Sequence, residues 1–554
     1  MSDSNPVGQE RATQSGVATL DDLFHAVNRS DTPGLVVGVA HHGKHVYRRG
    51  FGLASVELGV ANTPWTRMRI GSTSKHFTCL AILLLAEEGK LDIDASVRAY
   101  MPELPPLKAE PTLRQLMTHT GGHRCYLDLG FVASGMAIRP KGVALRMQVR
   151  QTEANFAPGE KMIYNNGGYH LLSLLIERIS GIPFEQFLKD RIFTPLSMAD
   201  TASVRSDFEI HRGTAALHVA LPDGGWRRGM FPSEEVLGEG AIVSTVDDML
   251  RWLAHLRGQK IVGSESSWRH MLTPAKLTSG LVTPYALGLF RHRHRGVEII
   301  HHNGGVIGGT CQMLTVPSHE LDIIIMANGA KVDVLDLGYK VVDTVLGDAA
   351  LAPAEIKAAS ERFKPMLGAR YYARSSGNVI GFSDIEGKLG LSVFNYMPTP
   401  LHDDGATLRL GVEDVAAGPF VIDTAELAEE GTPPASLNVA EGGRAEPFER
   451  LPETAPSAAE VGPAMAGCYQ SPDLGADAHI EFDGEQLKLR IFGQYGINDA
   501  TLIPLSADVY SLQLDDSLFP LKFLLSIEHS EDRVTGFRIN TLRTRHLRFE
   551  RLPY

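Results

Sequence analysis

The run Cys79-Leu80-Ala81-Ile82-Leu83-Leu84-Leu85-Ala86 carries no charged side chain and closes on Glu87-Glu88-Gly89. It reads as a helix that is apolar nearly all round, which belongs in a domain interior, with Gly89 as its stop signal. The run is too short to cross a bilayer. Directly before it stands Arg69-Ile70-Gly71-Ser72-Thr73-Ser74-Lys75, a short glycine turn feeding the helix. Such a chain folds around a buried helix with Ser72 at its mouth. Residues three apart on a helix are neighbours on one face, so Lys75 reaches the Ser72 hydroxyl. A serine becomes a nucleophile once a base takes its proton. A lysine amine can be that base where burial penalises its ammonium form. The amide end of the helix favours negative charge developing nearby. By itself S-x-x-K is a weak signature, because an N-capping serine on a surface turn also satisfies it.

Length and charge narrow the classes. The chain has 554 residues, enough for several domains, with 43% apolar and 21% charged side chains, the composition of a globular protein. A formal net charge of −12 speaks against a nucleic-acid or anionic-membrane partner. Cys79, Cys125, Cys311 and Cys468 are scattered, with no C-x-x-C pair. They read as free thiols of a reducing compartment rather than a disulfide frame or a metal site. Met1 to Thr19 is polar and lacks an apolar h-region, so cytoplasmic is the expected location.

Along the chain, helix and strand patterns mix until about residue 347. A helix is predicted from about Leu20 to Asn28. Leu35–Ala40, a turn at His42-Gly43-Lys44 and His45-Val46-Tyr47 read as a hairpin. Gly38 to Lys44 matches G-x-x-x-x-G-K, but His45 and a strand follow where Ser or Thr and a helix are required. Thr112–Met117 and Gly168–Ile179 read as helices. Thr245-Val246-Asp247-Asp248 caps a helix through Leu256. Glu298–His301 and Leu321–Met326 read as strands. His292 and His294 are expected on a solvated hairpin.

The pattern then changes. An alanine-rich connector, Ala349 to Phe363, is predicted helical. Beyond it come short alternating strands with an internal repeat. Phe448-Glu449-Arg450-Leu451-Pro452 recurs as Phe549-Glu550-Arg551-Leu552-Pro553, and Gly387–Phe394 resembles Gly484–Phe492. Two copies of antiparallel strands predict two small β-barrels, joined by the turn-rich Glu453–Ala458.

Two further motifs add chemistry. Tyr164-Asn165-Asn166 follows Phe156-Ala157-Pro158-Gly159. Tyr164 can relay a proton between Ser72, Lys75 and a leaving group, and Asn166 can bond a substrate carbonyl. A glycine-rich turn with a packed tyrosine is the plainer alternative. His302-Asn303-Gly304-Gly305 follows the strand Glu298–His301. Its glycines let a substrate lie against the backbone, and the Gly305 and Ser72 amides can form an oxyanion hole. Ordinary strand histidines are the alternative for His301 and His302.

S-x-x-K, Y-x-N and H-x-G in this order resemble the serine β-lactamase and penicillin-binding family, class C branch, over roughly residues 20 to 345. The resemblance implies an α/β catalytic domain, an antiparallel sheet with a helical subdomain, over 17–347. Ser72 would be the acylated nucleophile, with Lys75 and Tyr164 as acid/base groups. A leader (1–16) precedes that domain. A connector (348–366), a first barrel (367–452), a linker (453–463) and a second barrel (464–554) follow it. The added barrels resemble the D-stereospecific aminopeptidases of the family, in which a loop of the last barrel reaches the catalytic cleft. The matching loop is Gly493-Gln494-Tyr495-Gly496-Ile497-Asn498-Asp499-Ala500, and the resemblance makes Asp499 the partner of the substrate amine. A plain hairpin turn is the alternative.

Carboxylate-binding members of the family commonly place a lysine where this chain has His302, and a neutral imidazole is the weaker anchor. His302 fits esterases of the family as well; the activity that the resemblance to the D-stereospecific aminopeptidases implies is release of N-terminal D-residues from peptides, amides or esters through a Ser72 acyl-enzyme. The substrate is a small peptide or amide, no metal or organic cofactor is implied, and a homodimer is compatible. An esterase or penicillin-hydrolysing enzyme is the enzymatic alternative, and a non-catalytic small-ligand binding protein the other.

Overall fold

The computed structural model describes residues 20–411, 419–515, 522–531 and 533–553. The expected leader, 1–16, lies outside them. The chain forms two compact units. One gathers the chain up to Ile93 with Tyr169–Ala275 and Pro284–Ala354; the other gathers Asp94–Gly168, Lys276–Thr283 and the chain from Glu355 onward.

The first unit is built on a six-stranded antiparallel sheet. Its order is Phe290–His294, Val297–Val306, Gly309–Val316, Leu321–Ala327, Leu35–His41 and Lys44–Phe51. The central strand Leu321–Ala327 is buried at every position because both faces are covered. Side-chain alternation divides the work. Leu35, Val37, Val39, Ile323 and Ile325 pack with Val334, Leu337, Val341 and Val342 of the helix Val334–Leu346. On the other face Gly38 leaves room for the helix Val246–Arg257: a β-carbon there would lie 3.1 Å from Val246, Leu250 and Ile324. Gly38 thus serves helix packing on the strand Leu35–His41, and the strand Lys44–Phe51 follows where a phosphate loop requires a helix. That helix is capped by Thr245, whose hydroxyl accepts from the Asp248 amide.

The helix Lys75–Glu87 is buried along almost its whole length, in agreement with its apolar circumference. Phe77 packs on Trp252 with ring centroids 4.2 Å apart. The stop falls on Gly89, at φ 69°.

The second unit joins the helical segment to two β structures. The last is a closed eight-stranded barrel, Gly467–Ser471 through Leu547–Arg551, sealed where Tyr469 pairs with Arg551. The one before it is a nine-stranded sheet that nearly closes, its edge strands being Thr399–Pro400 and His402–Asp403. Here Tyr371 pairs with Arg450. The repeated Phe-Glu-Arg strand therefore occupies the same place in both copies.

The connector differs from expectation. Between Ala349 and Phe363 there is no α-helix; Lys357 bridges to His402, Ala359 bridges to Lys388, and a 3-10 segment runs Ser360–Met366. Ala358, Phe363 and Met366 are buried in the core of the first barrel. Burial there outweighs the helix preference of alanine.

A buried charge cluster ties the helical segment to that barrel. Lys161 Nζ lies 2.8 Å from Glu446 and 3.4 Å from Glu441, and Arg545 donates to Glu441 across 2.7 Å. Burial alone would raise the Glu441 pKa, but Arg545 and Lys161 hold it below the usual carboxylate range.

Candidate active site

Ser72 lies in a 3-10 turn, Gly71–Ser74, and Lys75 opens the helix Lys75–Glu87. The turn is fastened by its hydroxyl neighbours: Thr73 Oγ1 donates to the His302 carbonyl across 3.1 Å, and Ser74 Oγ accepts from the Ile242 amide across 3.1 Å. Lys75 is fully buried, yet its Nζ donates to Ser72 Oγ across 3.0 Å and to the Glu239 carbonyl across 2.7 Å. The ammonium also stands over the Tyr169 ring, 5.3 Å from its centroid. Ser72 keeps partial exposure. A buried amine against a reachable hydroxyl is the arrangement a serine nucleophile requires.

The third motif lies within a strand that continues past the expected Glu298–His301. Val297–Val306 runs through His302, Asn303, Gly304 and Gly305 without a break. Two glycines let this strand pass the Ser72 turn. A β-carbon at Gly304 would sit 1.9 Å from the Ile70 carbonyl oxygen and 3.1 Å from the Ser72 nitrogen. Gly71, at φ 52°, would place one 2.8 Å from the Gly305 nitrogen. At Gly305 itself a β-carbon meets nothing within 4 Å, and the residue is exposed. This is open backbone beside Ser72, against which a substrate can lie.

His302 is not at that open surface. Its side chain is wholly buried. Nδ1 lies 2.5 Å from the Asn303 carbonyl, which can only accept, so Nδ1 carries the proton. Nε2 then accepts from the Tyr285 hydroxyl across 2.9 Å. Burial, aided by the Lys75 charge, pushes the pKa down to about 3. The imidazole is a neutral fixture behind the strand and does not present itself to a substrate carboxylate.

Tyr164 and Asn166 belong to the second unit, at the start of the helix Asn166–Ser180, and both are buried. Asn165, between them, holds the turn: its Oδ1 accepts from the Gly167 amide across 2.7 Å, and its own amide donates to His119 Nδ1 across 3.0 Å. The His119 ring packs on Tyr164 with centroids 4.1 Å apart. The guanidinium of Arg543 stands over the Tyr164 ring, 5.6 Å from its centroid. His119 lies in the stretch Thr118-His119-Thr120-Gly121. Arg543 carried no motif.

Asp499 is placed differently from expectation. The segment read as a loop is a tight turn followed by the strand Ile497–Pro504. Asn498 makes the contact with the helical segment, donating to the carbonyls of Phe131 and Val132 at 2.8 and 3.1 Å. Alternation along the strand sends Asp499 to the opposite side. There both its oxygens are taken by Arg490, at 2.6 and 3.3 Å. A carboxylate so engaged is poorly placed to meet a substrate amine.

Residues 20–345 match the Beta-lactamase family, and the chain belongs to that family. It is 29% identical over 349 residues to the D-aminopeptidase of Brucella canis, covering 61% of this chain and 65% of that one. It is 30% identical over 327 residues to the D-aminopeptidase of Brucella anthropi, covering 57% and 59%. The chain thus spans less than two thirds of the length of these relatives. Among solved structures, the octameric penicillin-binding protein homologue from Pyrococcus abyssi superposes with a TM-score of 0.52 at 18% identity, over 98% of this chain and 100% of that one. The D-amino acid amidase of Ochrobactrum anthropi SV3, complexed with D-phenylalanine, gives 0.51 at 21% identity, over 60% and 99%. These two superpositions speak for the fold.

Proposed function

We propose that the protein is a serine hydrolase that releases N-terminal D-residues from short peptides, amides or esters. The observation that carries the reading is the buried Lys75 amine 3.0 Å from the accessible Ser72 hydroxyl. The D-residue preference is supported by relatives named D-aminopeptidase. Ser72 Oγ adds to the scissile carbonyl carbon, and its proton passes to Lys75 or Tyr164 and on to the leaving amine. The C–N bond breaks and an ester on Ser72 remains. Water adds to that ester, the acid is released and the proton returns to Ser72. The amides of Ser72 and Gly305 face the developing oxyanion, a contribution of about 3–4 kcal/mol where such a donor has been removed elsewhere. Asn166 bonds the substrate carbonyl, Gly304 keeps the strand close, and His302 holds the strand from behind. Asp499, paired with Arg490, is not among the residues that meet the amine.

Among the described residues no helix is long and apolar enough to cross a membrane. The burial of Cys79, Cys125 and Cys311 as free thiols supports a cytoplasmic place of work.

The test compares D-Ala and L-Ala p-nitroanilide. Faster turnover of the D form, lost in Ser72→Ala, is expected. Equal rates, or turnover of p-nitrophenyl butyrate or nitrocefin alone, would give the protein to the esterase or β-lactamase alternative.

A further inference from the structure

Glu239 makes two bonds inside the first unit. Its backbone carbonyl accepts from Lys75 Nζ across 2.7 Å. Its side-chain Oε1 lies 3.0 Å from Nδ1 of His170. An ionised carboxylate only accepts, so Nδ1 carries a proton. The other ring nitrogen, Nε2, lies 3.7 Å from Oε2 of Glu235. His170 is wholly buried and Glu239 nearly so. Burial opposes charge on the ring, but Glu239, Glu235 and Glu177 outweigh it and raise the pKa. Arg205 balances the outer carboxylates: it lies 3.9 Å from Glu235, 2.7 Å from Glu185, and pairs with Glu177. The backbone before Glu239 is clamped as well. The Gly238 amide donates to Ser173 Oγ across 2.9 Å, and the Gly238 carbonyl accepts from Thr78 Oγ1 across 3.1 Å. A β-carbon at Gly238 would stand 2.1 Å from Thr78 Oγ1 and 2.5 Å from Ser173 Oγ. All of these residues belong to the first unit, with Ser72.

We propose that His170 is a positioning residue for the activation of Ser72. It holds the Glu239 carboxylate, so that the Glu239 carbonyl orients the Lys75 amine while the carboxylate does not draw Lys75 into its ammonium form. The proposal rests on the reading above, in which Lys75 can take the Ser72 proton. A neutral amine has one lone pair and two N–H donors. Committing one N–H to the Glu239 carbonyl turns the amine so that its lone pair can meet the Ser72 hydroxyl, 3.0 Å away. The carboxylate stands one side-chain length from that carbonyl. A bare negative charge there favours the ammonium, which is no base. The His170 imidazolium cancels that charge. Cys79, Tyr169 and His302, which also face Lys75, are neutral: burial pushes the Cys79 thiol up to about 12, raises the Tyr169 phenol, and lowers His302 to about 3. The balance between His170 and its carboxylates therefore decides how readily Lys75 gives up its proton.

The experiment follows kcat/KM for D-Ala p-nitroanilide across pH. The substrate amine titrates alike for every variant, so differences between the profiles belong to the enzyme. In His170→Gln the acid limb is expected about one pH unit higher, with about a tenfold loss on the acid side that recovers in alkali. Adding Glu239→Gln removes the carboxylate, keeps the backbone carbonyl and is expected to bring the limb back. A loss in His170→Gln that is equal at every pH, or a limb unmoved by adding Glu239→Gln, overturns the proposal and leaves His170 a packing residue. Should His170→Gln fail to fold in a thermal melt, Glu239→Gln alone decides. With the carboxylate gone and His170 still charged beside Glu235, the acid limb is expected at lower pH; a limb that stays or rises overturns the proposal. Should D-Ala p-nitroanilide not be cleaved, the D-aminopeptidase reading fails by itself. The same profiles are then read from phosphonylation of Ser72 by a fluorophosphonate, followed by intact mass. A limb shifted and restored in the same way supports the role of His170; an unshifted limb, or no phosphonylation at any pH, overturns it.

Discussion

The Tyr285 hydroxyl donates to Nε2 of His302 across 2.9 Å, inside the first unit and out of reach of solvent. The pair fixes one tautomer of the third-motif histidine and keeps its ring behind the strand that borders Ser72. Removing the hydroxyl leaves Nε2 as a buried acceptor with its donor gone. Tyr285→Phe is therefore expected to lower stability by about 1–3 kcal/mol. Denaturant unfolding of the two proteins checks the value. His302→Gln loses the same pairing, and the double variant is expected to cost less than the sum of the two singles.

Acid sensitivity follows from the same burial. His76, His301 and His302 are wholly buried, and burial holds all three below the ordinary histidine pKa of 6.5, His302 at about 3. The unfolded chain takes up protons near pH 6.5 that the folded chain refuses. Stability therefore falls as pH drops below 6.5, by up to about 1.4 kcal/mol per pH unit for each group. His170 runs the other way: burial opposes its charge, but Glu239 and Glu235 outweigh it and raise its pKa, so its contribution is lost as pH rises. The melting temperature is expected to decline from pH 7 to pH 5. His76 makes no hydrogen bond through either ring nitrogen among the described residues and stacks on Trp252. His76→Phe should shallow the decline by about one proton's worth.

The charge cluster of Lys161, Glu441, Glu446 and Arg545 makes a sharper stability prediction. Glu441 is wholly buried and Arg545 nearly so. Glu441→Ala leaves two cations facing a single carboxylate in the interior, a change worth about 3–5 kcal/mol. Glu441 is held below its usual pKa, so its contribution is present above the ordinary carboxylate range and lost as pH falls through the folded value. Unfolding followed at pH 7 and pH 4 should show a large gap between wild type and Glu441→Ala that narrows in acid.

What the sequence made legible is mostly local. Ser72 and Lys75 are three residues apart, and the helix they open announces itself by its apolar run. The two barrels were visible because Phe448–Pro452 recurs as Phe549–Pro553. The connector was misread because Ala358, Phe363 and Met366 answer to a barrel core assembled from distant strands. Asp499 was misread because N-D in a glycine-rich stretch looks like loop chemistry, whereas the cross-strand partner Arg490 makes it part of a sheet. Arg543 lies 379 positions beyond Tyr164 (543 − 164). No motif or spacing in the sequence marked its placement.

Gly304 and Gly305 are adjacent and chemically identical, yet the structure predicts opposite outcomes for the same substitution. A methyl group at Gly304 would meet the Ile70 carbonyl oxygen at 1.9 Å, and backbone cannot swing aside as a side chain can. Gly304→Ala must push the strand off the Ser72 turn, breaking the Thr73 bond to the His302 carbonyl and displacing the Gly305 amide from Ser72. Overpacking of this kind costs about 1–3 kcal/mol or more, and a 1 Å displacement at the reacting groups about a hundredfold in rate. Gly305→Ala meets no atom within 4 Å and is expected to melt within a few degrees of wild type. Its methyl group projects over the open backbone where the substrate is proposed to lie, so its effect should appear in KM rather than in folding. Thermal melts with steady-state kinetics on D-Ala p-nitroanilide separate the two. A Gly304→Ala protein with native melting temperature and native kcat would show that the strand does not need its close approach to Ser72.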